Sequence, residues 1–298
     1  MMKFLFVIVF LVGASVQDNI NGTDGSEYLY NAIKSGRVDV VTFLIDNGAN
    51  VNSFEHHPCT PLQLAVAKGN TEIFKILIEK GADMNYINRG AHVNYMDKHY
   101  NTTLLHIATM FDNLEICKIL IANGTNVNAE DFEKLTPLHT AALYGSNDTV
   151  DYLIANGANI TAGAEVLFPP SHLAAWIGNL NTCKSLIAHG VDVNAKGDGN
   201  STILHFATFI GNKEVIEYLI TQGANVNAIA SDMSTPLHIA YYAGNEEVQR
   251  VLIDSGADQN AKDKNNKIPR EMDTEEGKEK KTEMIAFLNE KKRMFENL

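Results

Sequence analysis

The sequence predicts an all-α chain built from a short helix–turn–helix unit repeated about eight times. Three observations carry that reading. Gly followed by Ala, or a near variant, recurs at Gly48, Gly81, Gly124, Gly157, Gly190, Gly223 and Gly256, in steps of 33, 43, 33, 33, 33 and 33. A second marker keeps the same phase: Thr60-Pro61-Leu62-Gln63, Thr103-Leu104-Leu105-His106, Thr136-Pro137-Leu138-His139, Pro169-Pro170-Ser171-His172, Thr202-Ile203-Leu204-His205 and Thr235-Pro236-Leu237-His238. A third is a mid-unit glycine at Gly36, Gly69, Gly145, Gly178, Gly211, Gly244 and Gly277, with Asp112 in its place once. A fixed period of this size signals a stack of like units.

The chain opens differently. Lys3 precedes nine unbroken apolar residues, Phe4 to Val12, then the small residues Gly13, Ala14 and Ser15. This is the layout of a secretory signal peptide over 1–15, cleaved near Ala14 or Ser15. The apolar run falls short of the ~20 residues a membrane span needs. Residues 16–25 then read as a flexible leader, and the repeats fill 26–298.

Within a unit each marker has a local task. Thr caps a helix by accepting a hydrogen bond from an orphan N–H. Pro suits the first helical position, where its missing N–H costs nothing. Small pairs such as Ala141-Ala142 let two helices come close. The mid-unit Gly allows a tight turn into a second helix, such as Glu72 to Ile78, whose apolar residues recur at helical spacing. The later Gly ends that helix in a left-handed conformation. Segments such as Val193-Asn194-Ala195 lead into the next unit.

With three markers in phase over nearly all of 26–298, the sequence resembles the ankyrin-repeat family. The resemblance implies an α-solenoid of antiparallel helix pairs with projecting β-hairpin-like loops. It also implies that the repeated histidines His106, His139, His172, His205 and His238 hydrogen-bond along the stack rather than bind metal. The first and last units read as caps, since an end unit needs one polar outer face; the last, 267–298, keeps Ile268-Pro269 and Gly277 but is otherwise charged. The single 43-residue step contains a near-duplication of 81–89 in 90–98, which predicts an enlarged loop near 86–101.

Composition excludes several functions. A net charge of −12 argues against general nucleic-acid binding. No catalytic constellation stands apart from the repeat framework, so no enzyme and no cofactor is expected. His56, His57, Cys59, His92 and His99 share neighbouring loops but lack metal-site spacing. Cys117 and Cys183 read as small core residues, whereas Cys59 reads as a loop thiol able to link to another chain. Of six Asn-x-Ser/Thr sequons, Asn21, Asn101 and Asn200 are the expected glycosylation sites.

Function is therefore expected on the variable positions. The resemblance implies that partners meet the concave face, made by loop tips and first helices. The row before the mid-unit Gly reads Met110, Phe111, Leu143, Tyr144, Trp176, Ile177, Phe209, Ile210 and Tyr242 there, strongly apolar and aromatic. Phe132, Leu167, Phe168, Ile229 and Met233 add to it from the loops. Such rows mark interfaces. Residues before 262 carry 14 positive and 27 negative charges, which steers a basic or neutral protein partner. The expected protein is a secreted monomer that binds a protein partner, with no nucleic acid and no membrane. An alternative is a toxin-like or effector component acting on membranes or host proteins.

Overall fold

The Thr-Pro marker starts a helix, and at Thr60 it does so by satisfying one of the helix's own orphan donors. In the computed structural model Thr60 is extended, at φ −69° and ψ 158°, and its hydroxyl accepts the Gln63 N–H at 3.2 Å. Gln63 Oε1 accepts the Thr60 N–H in return, at 2.9 Å. In later units a histidine replaces that glutamine: the N–H groups of Thr103, Thr136, Thr202 and Thr235 donate to the Nδ1 of the His three residues on, at 3.0–3.2 Å. Such reciprocal caps contribute about 1 kcal/mol each.

The structure describes residues 23–53, 59–84, 102–131, 133–144, 147–163 and 168–296. Among them are fifteen α-helices, two short 3-10 turns and no strand. The signal peptide, the sequons Asn21 and Asn101, the enlarged loop, His56, His57, Phe132, Gly145 and Leu167 all lie outside the described residues.

The described residues divide into two compact units. The first contains α1 (Thr23–Lys34), α2 (Val38–Asp46), α3 (Pro61–Ala67), α4 (Thr71–Glu79), α5 (Leu104–Met110) and α6 (Leu114–Ala122). α1 begins inside the segment expected as leader. First helices stack on first helices (α1 on α3, α3 on α5), and second helices on second helices (α2 on α4, α4 on α6). The apolar stripe of α4, Ile73, Phe74 and Leu77, is buried. Burying each such side chain contributes about 1.5–3 kcal/mol.

The second unit contains α7 (Pro137–Tyr144), α8 (Asn147–Ala155), α9 (Pro170–Ile177), α10 (Leu180–Ala188), α11 (Ile203–Ile210), α12 (Lys213–Thr221), α13 (Pro236–Tyr242), α14 (Glu246–Asp254) and α15 (Glu275–Glu296). It repeats the scheme: α7, α9, α11 and α13 pack in series, as do α8, α10, α12 and α14. Ala141, Ala142, Ala174 and Ala175 are fully buried, in line with their expected role at close helix contacts.

Two readings need correction. Gly277 is not a turn glycine: it lies inside the first turn of α15, where Thr274 Oγ1 accepts its N–H at 3.2 Å. A Cβ there would collide with the Tyr242 carbonyl, so the residue is small because α15 presses against the end of α13. In this last unit the first helix shrinks to a 3-10 turn, Pro269–Met272. Cys59, expected on an open loop, is buried at 8% exposure with its sulfur 3.9 Å from the Tyr30 hydroxyl. Burial pushes its thiol up to about 11, so it is poorly placed to link to another chain. Cys117 and Cys183 are buried, as read.

Candidate binding cleft

The repeated histidines set the local frame. In the second unit their Nε2 atoms lie 3.1–3.3 Å from carbonyls of the next repeat: His172 to Ser201, His205 to Ser234 and His238 to Lys267. Nδ1 of His205 and His238 accepts the Thr N–H of the cap, so the proton sits on Nε2, which donates onward. Burial, the largest influence, lowers the basicity of His172 to about 4 and shifts His205 the same way. Both rings are neutral struts, as the resemblance implies.

Asparagines, unassigned in the sequence reading, form a second ladder. Nδ2 of Asn52, Asn128, Asn194 and Asn227 donates to the carbonyls of Gly81, Gly157, Gly223 and Gly256 in turn, at 2.9–3.2 Å. Their Oδ1 atoms accept the N–H of Asp83, Asn159, Asn225 and Asp258 at 2.7–2.9 Å. The signal was available, because Asn194 and Asn227 are one period apart. These ladders hold the loops in register: Ser231 N–H donates to the Gly199 carbonyl at 2.7 Å, and Lys264 N–H to Asp232 at 2.9 Å.

Between loops and first helices of the second unit lies a cleft of about 450 Å³. Its helix side carries Trp176 from α9, His205, Phe206 and Phe209 from α11, and Ile239 from α13. Its loop side carries Gly199, Ser201 and the 230–234 turn. Phe206 is held edge-on by Phe168, with centroids 4.6 Å apart, and by His172 at 5.4 Å. At the loop tips Ile229 and Met233 are 54% and 50% exposed. The volume falls within the ~300–1,000 Å³ typical of ligand sites.

One acidic residue, the exposed Asp232, also lines the cleft. Asp232 Oδ1 accepts both the Ser234 N–H at 3.0 Å and its hydroxyl at 2.6 Å. Burial alone would raise this carboxyl. Together the Ser234 bonds, its own backbone N–H and nearby Lys264 outweigh that and hold it below the usual range.

Of the expected partner-binding row, Trp176 and Phe209 enter the cleft. Leu143, Tyr144, Ile177, Ile210 and Tyr242 are half-buried at the ends of their helices. Met110 and Phe111 are half-buried at the end of α5 in the first unit. Phe206, Ile239 and Asp232 were not singled out from sequence. Phe206 and Ile239 directly follow the repeated His, where other units have Leu64, Ile107, Thr140 and Leu173; that variation in size was the available signal. Asn200 is exposed on the adjoining loop, its Nδ2 donating to Ser231 Oγ at 2.9 Å.

A Ser/His/Asp cluster does occur on the outer helices, at Asp151, Ser185 and His189. Ser185 Oγ donates directly to Asp151, while His189 Nδ1 donates to the Ser185 carbonyl at 2.9 Å. A nucleophile needs the imidazole on its hydroxyl, so the order is wrong for catalysis. Among the described residues no group of His, Cys, Asp or Glu could hold a metal ion, and no helix is long and apolar enough to cross a membrane.

Comparison with known proteins agrees with this architecture. The family model for ankyrin repeats matches three times, at residues 2–88, 86–164 and 171–263. The chain belongs to the ankyrin-repeat family, whose repeats are protein–protein interaction modules. It is 44% identical over 50 residues to the fowlpox virus ankyrin repeat protein FPV223, covering 17% of this chain and 36% of that one. It is 35% identical over 57 residues to the ankyrin repeat-containing protein P1E11.10 of Schizosaccharomyces pombe, covering 19% and 28%. The chain thus spans well under half the length of these curated relatives. Its structure is similar to the human ASB11 ankyrin repeat domain, with a TM-score of 0.64 and 26% identity, over 73% of this chain and 93% of that one.

Proposed function

We propose that this protein is a secreted binding module that holds a protein partner against the loop-and-first-helix face of its repeats. The cleft around Trp176 and Phe209 carries the reading: aromatic side chains, one of them the sole tryptophan, line it beside the exposed tips Ile229 and Met233. Large aromatic anchors that become fully desolvated on binding are the usual energetic centre of an interface. Leu143, Tyr144, Ile177, Ile210 and Tyr242 hold the corresponding repeat positions within the second unit, and Met110 and Phe111 hold them in the first.

Affinity capture with the full chain, read by mass spectrometry, tests this. A partner retained by the wild type should be lost from the Trp176→Ser/Phe209→Ser double variant while its helical circular dichroism is unchanged. Equal capture by the folded double variant would overturn the reading. Secretion is tested separately in a eukaryotic secretory host: the exported chain should start near Val16 and carry a glycan at Asn200. A chain retained in the cell with Met1 intact would rule out export. A glycan on Asn200 would stand beside the cleft, so capture is run with and without deglycosylation.

A further inference from the structure

The cleft lining holds one ionised side chain, and it is an acid. Asp232 uses Oδ1 for both Ser234 bonds, which leaves Oδ2 without a hydrogen-bond partner among the described residues. No Lys or Arg side chain lines the cleft, and His205 is kept neutral by burial. Lys264 is the one cation that acts on Asp232, at a distance and with no ion pair between them; only its backbone N–H bonds there, to the Asp232 carbonyl. Trp176, Phe206 and Phe209 line the same cleft, and Phe206 is fixed by Phe168 and His172. A carboxylate beside aromatic rings suits a cation that is only weakly hydrated. Aromatic quadrupoles attract such a cation, and the carboxylate completes its charge. A guanidinium meets these requirements better than an ammonium, because it is planar, stacks on rings and sheds water more readily. The chain's net charge of −12 favours approach of a basic segment.

We propose that the cleft receives an arginine side chain from a basic segment of the protein partner, its guanidinium between the aromatic residues and Asp232. This rests on the binding-module reading above and names the chemistry of the group that enters. Trp176 is the only tryptophan, so its emission reports the cleft directly.

The probes are Nα-acetyl-arginine amide and Nα-acetyl-citrulline amide, of nearly equal shape, the second uncharged. Titrated into the full chain, the arginine probe should shift Trp176 emission saturably, with citrulline about tenfold weaker or more. Asp232→Asn keeps the Oδ1 acceptor for Ser234. It should weaken the arginine probe by about tenfold and leave citrulline unchanged. Equal response to both probes on the wild type, or no saturable response to arginine, would overturn the proposal whether or not the variant folds. The capture experiment with Trp176→Ser/Phe209→Ser would still decide the binding-module reading, since a neutral anchor could fill the same cleft.

Discussion

His172 is fully buried and bonded through Nε2 to the Ser201 carbonyl, and its burial has a consequence for stability. Its basicity falls from 6.5 in the open chain to about 4 in the fold, chiefly through burial. Between those values the unfolded chain binds a proton that the folded chain refuses. Stability is therefore full above about pH 6.5 and declines as pH falls, by roughly 2 kcal/mol at pH 5 from this residue alone. His205 shifts in the same direction. The melting temperature should drop between about pH 7.5 and pH 5, before most carboxylates titrate. His172→Gln removes the titrating ring and keeps a neutral N–H donor for the Ser201 carbonyl, so it should shrink that drop. An equal drop in the variant would place the titration elsewhere. The role of these histidines was legible because they recur in phase. The asparagines recur in phase as well, but their residue type and spacing do not say which groups they bond: one side chain reaches a carbonyl 29 residues on and an N–H 31 residues on.

At the scale of a turn, a glycine can be required for two reasons that the sequence does not separate. Gly223 has φ +90° with nothing near a would-be Cβ, so only backbone conformation demands it. Gly211 has φ +88°, and a Cβ there would also lie 2.6 Å from Asn245 Nδ2 of the following repeat. That amide donates to the Thr208 carbonyl at 3.0 Å, so the added methyl displaces a repeat-to-repeat bond. Gly223→Ala should cost about 1 kcal/mol of strain. Gly211→Ala should cost about 1 kcal/mol more, for the lost bond. Urea unfolding of both, and of Gly211→Ala with Asn245→Ala, measures the coupling. Equal costs for the two glycines would show that the contact with Asn245 carries no energy. The turn and its left-handed φ follow from composition and period alone. Close approach does not, because it depends on what the next repeat places there. Gly277 shows the limit: its phase suggested a turn, yet it sits within α15 against Tyr242. The cleft was half legible for the same reason. Trp176 and Phe209 stood out as aromatic residues in a regular row, while Asp232 acquires meaning only once the 230–234 turn folds over α11.

Over the whole chain, stability in a repeat stack is a sum of neighbour contacts, so opening can be local to one group of repeats. Three buried thiols report on this. Cys59 and Cys117 belong to the first compact unit and Cys183 to the second. Burial raises them to about 11, about 12 and about 12, so thiolate is scarce and access requires opening. A thiol reagent at neutral pH should label none of the three in the native chain and all three in strong denaturant. In rising urea, with labelling located by mass spectrometry, Cys59 and Cys117 should become reactive together. Cys183 should follow the midpoint of its own unit, which the His and Asn ladders tie from Asn194 to Lys267. If Cys117 instead tracks Cys183 while Cys59 opens alone, the cooperative boundary lies earlier in the chain, between Cys59 and Cys117. A reducing agent should leave every midpoint unchanged, because packing between repeats, with no disulfide among the described residues, holds each unit together.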